Sequence, residues 1–539
     1  MDEEFSSDPS QLLEAASDFA YQPGALSDTS AQEFLTRFPL PAIISALQAN
    51  TDYPGLENAL VDCLERIFRT KYGASLIPHY MPFVLVGLGA NSQKVRRLAC
   101  VAISCLLENT DKRIAVQLVV QHGVYPLLLS CLIDGDEQVA TASTDAIKNM
   151  VGYPEGMGIV FPASVNEATH LGNLAAKCSS LGRVRVLALI VRLFSISSSV
   201  ASEVSRSNLL SLLEAEVKNT NDTLVTLNVL ELLYEITRLG VSIYVPMFFC
   251  SKVMLQAGNL IFQEKSQIRL LSYIISGAAE SILRSRAMMI AGRLLSKENA
   301  FAFIDESSVR TVLSAIDRRF EFMGQEADEC ECALEALGQI GSCNVAQGAT
   351  ILLATTPPTA RHVVDAAFDR QQHGKQLAAL HSLGNIAGET RIENTMVLSS
   401  SAEENLRSLT YDKASRTSKL TPSGLLLSVL QQDSEIRIAG YRLISGLVAR
   451  PWCLTEIISR QEIIDIVTNT YTETTKIGME ARHRCCEAIY RVFSSSTKLL
   501  SDPSFADMAS KLQEAIRRGP YGARKHTEAQ PVVATADRF

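Results

Sequence analysis

The feature that most constrains this chain is a spacing. Apolar residues recur at three- and four-residue intervals, as in Val95, Leu98, Ala99, Ala102, Ile103, Leu106 and Leu107. That is one face of an α-helix. The pattern then returns along the chain. Val95 and Val139 stand 44 residues apart, as do Ala102 and Ala146. Residues 184–188 carry it 45 residues after Val139, and residues 222–233 carry it about 40 residues later. Leu337-Gly338-Gln339-Ile340-Gly341 is echoed 46 residues on by Leu383-Gly384-Asn385-Ile386-Ala387. Residues 435–447 and 481–493 give two further units. Strand-like alternation is rare.

A period of roughly 40–47 residues built only of helices is the signature of armadillo and HEAT repeats. One unit has too little core to fold alone, and stacked neighbours bury a continuous apolar seam. The expected fold is therefore all-α, a right-handed α-solenoid of armadillo/HEAT-like repeats over residues 36–518. The turns agree. Gly89-Ala90-Asn91-Ser92, Asp134-Gly135-Asp136, Asn219-Thr220-Asn221-Asp222 and Gln432-Asp433-Ser434 each precede a long helix and end on an N-cap residue type. Helix glycines, which cost about 1 kcal/mol each relative to Ala, are tolerated where backbones approach closely.

Three stretches depart from the period. Residues 1–35 are acidic and Ser-rich, read as partly disordered with one capping helix near residues 11–19. Residues 390–423 read as a polar connection, helical only over 402–409. Residues 519–539 open with Gly-Pro, have no apolar period and read as a disordered tail.

Composition narrows the function. Hydrophobic residues make up 47%, too many for a disordered chain. The formal net charge is −8, which argues against a nucleic-acid binder, and aromatics are not interleaved with the basic residues as a stacking platform needs. No apolar run approaches the ~18 residues of a membrane span. The start Met1-Asp2-Glu3-Glu4 lacks the positive charge of a secretory signal, and the twelve cysteines form no framework. They read as reduced thiols of a protein of the cytosol or nucleus.

No phosphate loop, nucleotide fingerprint or hydrolase motif is present, so no catalytic, cofactor or metal site is assigned and no enzyme is expected. Cys330, Cys332 and Cys343, and Cys485-Cys486 beside His483, lack metal-ligand spacing and read as small buried hydrophobes. Arg284, Arg286, Arg293 and Lys297, then Arg482, Arg484 and Arg491, read either as a solvated face or as a surface for an acidic partner. A solenoid offers a long groove lined by one helix of each unit. Gln339 and Asn385 occupy equivalent places there, each a polar residue after a helix glycine. Such an amide can bond a partner's backbone, or simply a neighbouring helix. With Arg442 and Arg482 they form the expected partner-binding set.

Residues 380–388 resemble the groove helix of armadillo proteins of the importin-alpha and beta-catenin type. Those families carry a Trp one turn before the Asn; His381 stands in that region here, and the lone tryptophan is Trp452. A broader similarity covers residues 40–525. Residues 92–111, with S-Q-K-V-R-R-L-A-C-V-A-I-S-C-L-L-E-N-T-D, the L-G-Q-I-G-S-C-N-V of residues 333–347, Arg450-Pro451-Trp452 and Gly519-Pro520-Tyr521 together resemble the 26S proteasome non-ATPase regulatory subunit 5 family. The resemblance implies a chaperone for assembly of the regulatory-particle base. Such a chaperone binds the C-terminal domain of a proteasome ATPase subunit and hinders premature docking on the core particle. The alternative is a general armadillo adaptor holding an extended partner segment.

Overall fold

A computed structural model describes residues 9–24, 27–48, 53–162, 164, 167, 169–219, 221–244, 268–297, 300–322, 326–343, 346–388 and 398–521. Among these residues every regular element is a helix. The chain divides into two compact units, residues 1–257 and 258–539. Each is an all-α solenoid stack.

In the first unit the long helices Leu56–Phe68, Gln93–Asn109, Glu137–Val151, Ser180–Phe194 and Thr223–Tyr244 pack in chain order, each on the next. Shorter helices, such as Met81–Leu88 and Val124–Asp134, form a second layer against them. The second unit repeats the plan with Ser281–Leu295, Ala327–Gly341, His373–Ala387, Ser434–Leu447 and Lys476–Ser495. The helix Ala506–Arg518 covers the last of these. The buried faces are the ones the three- and four-residue spacing marks: Leu98, Ala102, Ile103 and Leu106 in one helix, Val139, Ala146, Ile147 and Met150 in the next.

The turn chemistry works as read. Ser92 Oγ accepts from the Val95 N–H at 3.4 Å, Asp136 from Val139 at 2.8 Å and Asp222 from Val225 at 3.1 Å. At the fourth turn the cap is one residue earlier than its last position. Asp433 accepts from the Glu435 and Ile436 N–H groups at 3.0 and 3.2 Å, and Ser434 is already helical.

Residues 400–415 differ from the sequence expectation. They form one continuous helix, Ser400–Ser415. Ser399 caps it, and Ala402, Leu406, Thr410 and Ala414 bury a narrow stripe at four-residue spacing. The Thr410 hydroxyl donates to the Leu406 carbonyl at 2.8 Å, so a polar residue sits on that stripe at little cost. Residues 390–397 of that stretch lie outside the described residues. At the N-terminus, Pro9–Tyr21 is a helix that buries Leu12, Ala16 and Phe19 and packs on Leu56–Phe68. No single described helix is long and apolar enough to cross a membrane.

Two sequence-equivalent glycines turn out to do different things. A methyl group on Gly338 would lie 2.6 Å from Ser382 Cβ and 2.7 Å from its Cα, so Gly338 lets two helices touch at the backbone. The Ser382 hydroxyl uses that approach to donate to the Leu334 carbonyl at 2.9 Å. A methyl group on Gly384 would meet only Leu443 and Arg442 backbone atoms at 3.8–3.9 Å, an ordinary contact. Gly338→Ala should therefore lower stability by about 1–3 kcal/mol through overpacking. Gly384→Ala should be neutral or stabilising by up to about 1 kcal/mol through helix propensity. Urea unfolding midpoints of the two variants, measured side by side, test the contrast.

Candidate partner-binding site

The four residues expected to hold a partner do not share one role. Asn385 and Arg442 are half-buried on adjacent helices. Arg442 Nη1 donates to His381 Nδ1 at 2.8 Å, which makes that ring nitrogen an acceptor and puts any ring proton of the neutral imidazole on Nε2. Gln339 is half-buried, and its Oε1 is shut off from solvent with no hydrogen-bond partner. The oxygen lies over Gly292 of the preceding helix, 2.8 Å from where a methyl group there would sit. Its carbonyl is thus committed to the helix interface and is not offered to a partner.

Arg482 is the clear correction. It is 0% exposed. Its Nη1 donates to the Val467 carbonyl at 2.8 Å and its Nη2 to the Pro520 carbonyl at 3.2 Å. Tyr521 adds a hydrogen bond to Glu480 Oε1 at 2.6 Å. Arg482 therefore fastens the chain just after the helix Ala506–Arg518, and residues 519–521 are held in place. The expected tail from 519 starts later than read; residues 522–539 lie outside the described residues.

Other basic residues behave alike. Arg284, 5% exposed, donates to the Ala278 and Ala279 carbonyls at 2.8 and 2.6 Å, at the end of the helix Ile268–Gly277. Its other nitrogens hold the buried Glu329 at 2.8 and 2.6 Å, and Arg319 Nε adds a bond at 3.1 Å. Arg66 donates to the Phe19, Ala20, Gln22 and Gly24 carbonyls at 2.6–3.1 Å. Arg185 does the same for Leu132, Ile133 and Gly135 at 2.7–3.3 Å. Arg450 takes the Ala387 carbonyl at 2.9 Å. Arg284 and Arg482, expected on a solvated or partner-facing surface, are interior helix-end fasteners.

The cysteines follow the sequence reading: Cys330, Cys343, Cys485 and Cys486 are buried free thiols and Cys332 is half-buried. Among the described residues no three His, Cys, Asp or Glu side chains are grouped to hold a metal ion.

Sequence reasoning missed a site in the first unit. A groove of about 930 Å³ runs across Leu56–Phe68, Gln93–Asn109 and Glu137–Val151. Its walls are mostly polar. Arg97 Nη2 reaches Glu65 at 2.7 Å, and Arg69 bonds the same carboxylate at 2.8 Å. Lys148 pairs with Asp145 at 3.1 Å. Asn149 Nδ2 donates to Glu108 Oε1 at 2.7 Å. Glu65, Glu108 and Asn149 stand 43 and 41 residues apart, so the repeat period itself carried the signal.

The groove lies inside the stretch that decides the chain's relationship. Residues 41–243 match the family model described as proteasome non-ATPase 26S subunit. Over this segment the chain is similar to that family. The similarities at residues 333–347, 450–452 and 519–521 lie outside the matched segment. No curated protein matches the chain significantly. Among solved structures, it is similar to an engineered protein at 16% identity and a TM-score of 0.38, covering 83% of this chain and 98% of that one. It is also similar to the karyopherin Kap121p bound to the extreme C-terminus of the phosphatase Cdc14p, at 13% identity and a TM-score of 0.48. Kap121p bound to Pho4p gives 12% and 0.48. Both karyopherin matches cover 95% of this chain, which spans 54% of their length.

Two outcomes follow from the buried arginines. Arg482→Ala strips two carbonyls of their donor and should cost about 1–3 kcal/mol. It should also make the chain beyond Arg518 more open to protease, read by limited proteolysis. Glu329 supplies a pH test. Burial pushes its carboxyl up, but hydrogen bonds from Arg284 and Arg319, with the Arg284 charge, outweigh this and hold it below its ordinary value of 4.5. Its contribution is complete above that value and lost as pH falls from 4.5 through the folded pKa. Glu329→Gln should lower stability at neutral pH by about 3–5 kcal/mol and flatten that acid limb. Denaturant midpoints across the acid range measure both.

Proposed function

We propose that this protein is an assembly chaperone of the 26S proteasome regulatory-particle base. It binds the C-terminal domain of one proteasome ATPase subunit and hinders premature docking on the core particle. The observation that carries this reading is the family match over residues 41–243, which relates a large part of the first stack to a proteasome non-ATPase subunit. Repeated helices that present side chains at a fixed period suit such work, because a groove of this kind holds another chain without chemistry.

The mechanism is mass action. A scaffold that binds one assembly state favours it by its differential affinity, and release follows when a tighter competitor forms. A partner that must leave calls for an interface of moderate area with a polar rim. In the second unit Asn385 and Arg442, half-buried on adjacent helices, are the residues assigned to ATPase contact.

Affinity capture of the tagged full chain from cell extract tests the reading. Regulatory-particle ATPases should be recovered without core-particle subunits. Core-particle subunits in stoichiometric yield, or recovery without any ATPase, would overturn it. Asn385→Ala with Arg442→Ala should weaken binding of the purified ATPase C-terminal domain by roughly tenfold, about 1.4 kcal/mol.

A further inference from the structure

We infer that Cys100 and Cys131 are a peroxide-oxidisable thiol pair, a modification site at which a reversible disulfide joins two consecutive repeats.

Three groups converge on one sulfur. Cys131, on the helix Val124–Asp134, and Cys100, on Gln93–Asn109, are free thiols and both are 0% exposed. The Cys131 thiol donates to the Leu88 carbonyl at 3.3 Å while it keeps its proton. Arg96 stands one turn before Cys100 on the same helix, and its Nη2 lies 3.7 Å from Cys131 Sγ. Arg96 forms no ion pair among the described residues, so a Cys131 thiolate would be its counter-charge. The Cys100 thiol hydrogen-bonds the same sulfur. That bond draws the Cys131 thiol down and pushes the Cys100 thiol up. At Cys131 burial and Asp134, on its own helix, work the other way, and the Arg96 charge offsets them. One thiol is therefore set to ionise beside a second that keeps its proton, the arrangement from which oxidation proceeds to a disulfide. Cys63 and Cys453, also 0% exposed, have no such thiol partner, and burial pushes each up to about 12.

The Cys131 thiolate attacks one oxygen of a hydroperoxide. The O–O bond breaks, leaving a sulfenic acid and a hydroxide that takes up the proton Cys131 had shed. The Cys100 sulfur then attacks the sulfenic sulfur, and its proton leaves with the departing hydroxyl as water. Two thiols lose two hydrogens and two electrons, and hydrogen peroxide becomes two waters. Both sulfurs are closed to solvent, so the peroxide enters by local opening of these helices and the reaction is slow.

The test treats the folded full chain with hydrogen peroxide, then unfolds, alkylates and digests it without reduction. Mass spectrometry should find the peptides of Cys100 and Cys131 joined, two hydrogens lighter than their sum, and dithiothreitol should part them. Cys105 shares the tryptic peptide of Cys100, so two variants place the link: Cys100→Ala should abolish it and Cys105→Ala should leave it. Cys63 and Cys453 should stay open to alkylation, with oxidation at least roughly tenfold lower. Three results each overturn the proposal: no joined peptides, joining only once the chain is unfolded in urea, or Cys131 joined as often to Cys63 or Cys453 as to Cys100.

Discussion

Carbonyl groups at the ends of short helices are the liability around which this molecule is built. Every α-helix leaves its last four C=O groups without an intrahelical partner. A solenoid of short helices multiplies those ends and buries many of them against the next repeat. Arginine answers the problem repeatedly. Arg66, Arg185, Arg284 and Arg482, each on a helix, and Arg450, in the turn just before one, reach to carbonyls at or just beyond the end of another helix. A guanidinium carries five donors in a rigid fork, so one side chain can satisfy several carbonyls at once. Its charge also lies favourably at the negative end of the helix dipole. Where a carboxylate is added, as with Glu329 between Arg284 and Arg319, the fastener becomes a buried ion cluster.

The long helices impose the second constraint. They stack at the backbone in places, as Gly338 on Ser382 shows, and the polar groups on the contact must then pair across it. The Ser143 hydroxyl donates to the Leu128 carbonyl at 2.6 Å in the same spirit. Polar residues on these helices therefore divide between stitching neighbours together and facing outward. Gln339 fits neither kind, because its oxygen lies over Gly292 without a hydrogen-bond partner. Glu108 belongs partly to both.

This division explains how far the sequence can be read. The repeat was legible because apolar spacing is local and its period is written into the chain, and the N-caps were legible because a cap acts within three residues. The helix Ser400–Ser415 was read too short because its stripe mixes Ala and Thr with one Leu, too little apolar character to stand out. The arginines were misread for a deeper reason. Their partners are backbone carbonyls, which every residue has, at sequence separations of up to 63 residues for Arg450 and Ala387. Nothing in a residue code marks a carbonyl as stranded. Only the fold decides that Arg482 points inward while Arg484 stays exposed. Glu65, Glu108 and Asn149 were within reach, since they keep the period, but a charged residue at a repeat position looks like ordinary solvated surface.

The consequence for binding runs against the composition. Clusters of arginine suggest a surface for acidic partners, and a near balance of charges suggests no preference at all. Once arginines are drawn into fastening helix ends, the carboxylates they do not pair remain outside. The sign of a binding surface is thus set by what the fold leaves uncompensated, and the residue count along the chain does not reveal it. In the first stack Glu108 and Glu137 are exposed carboxylates, and Glu108 accepts a cross-repeat hydrogen bond from Asn149 at 2.7 Å.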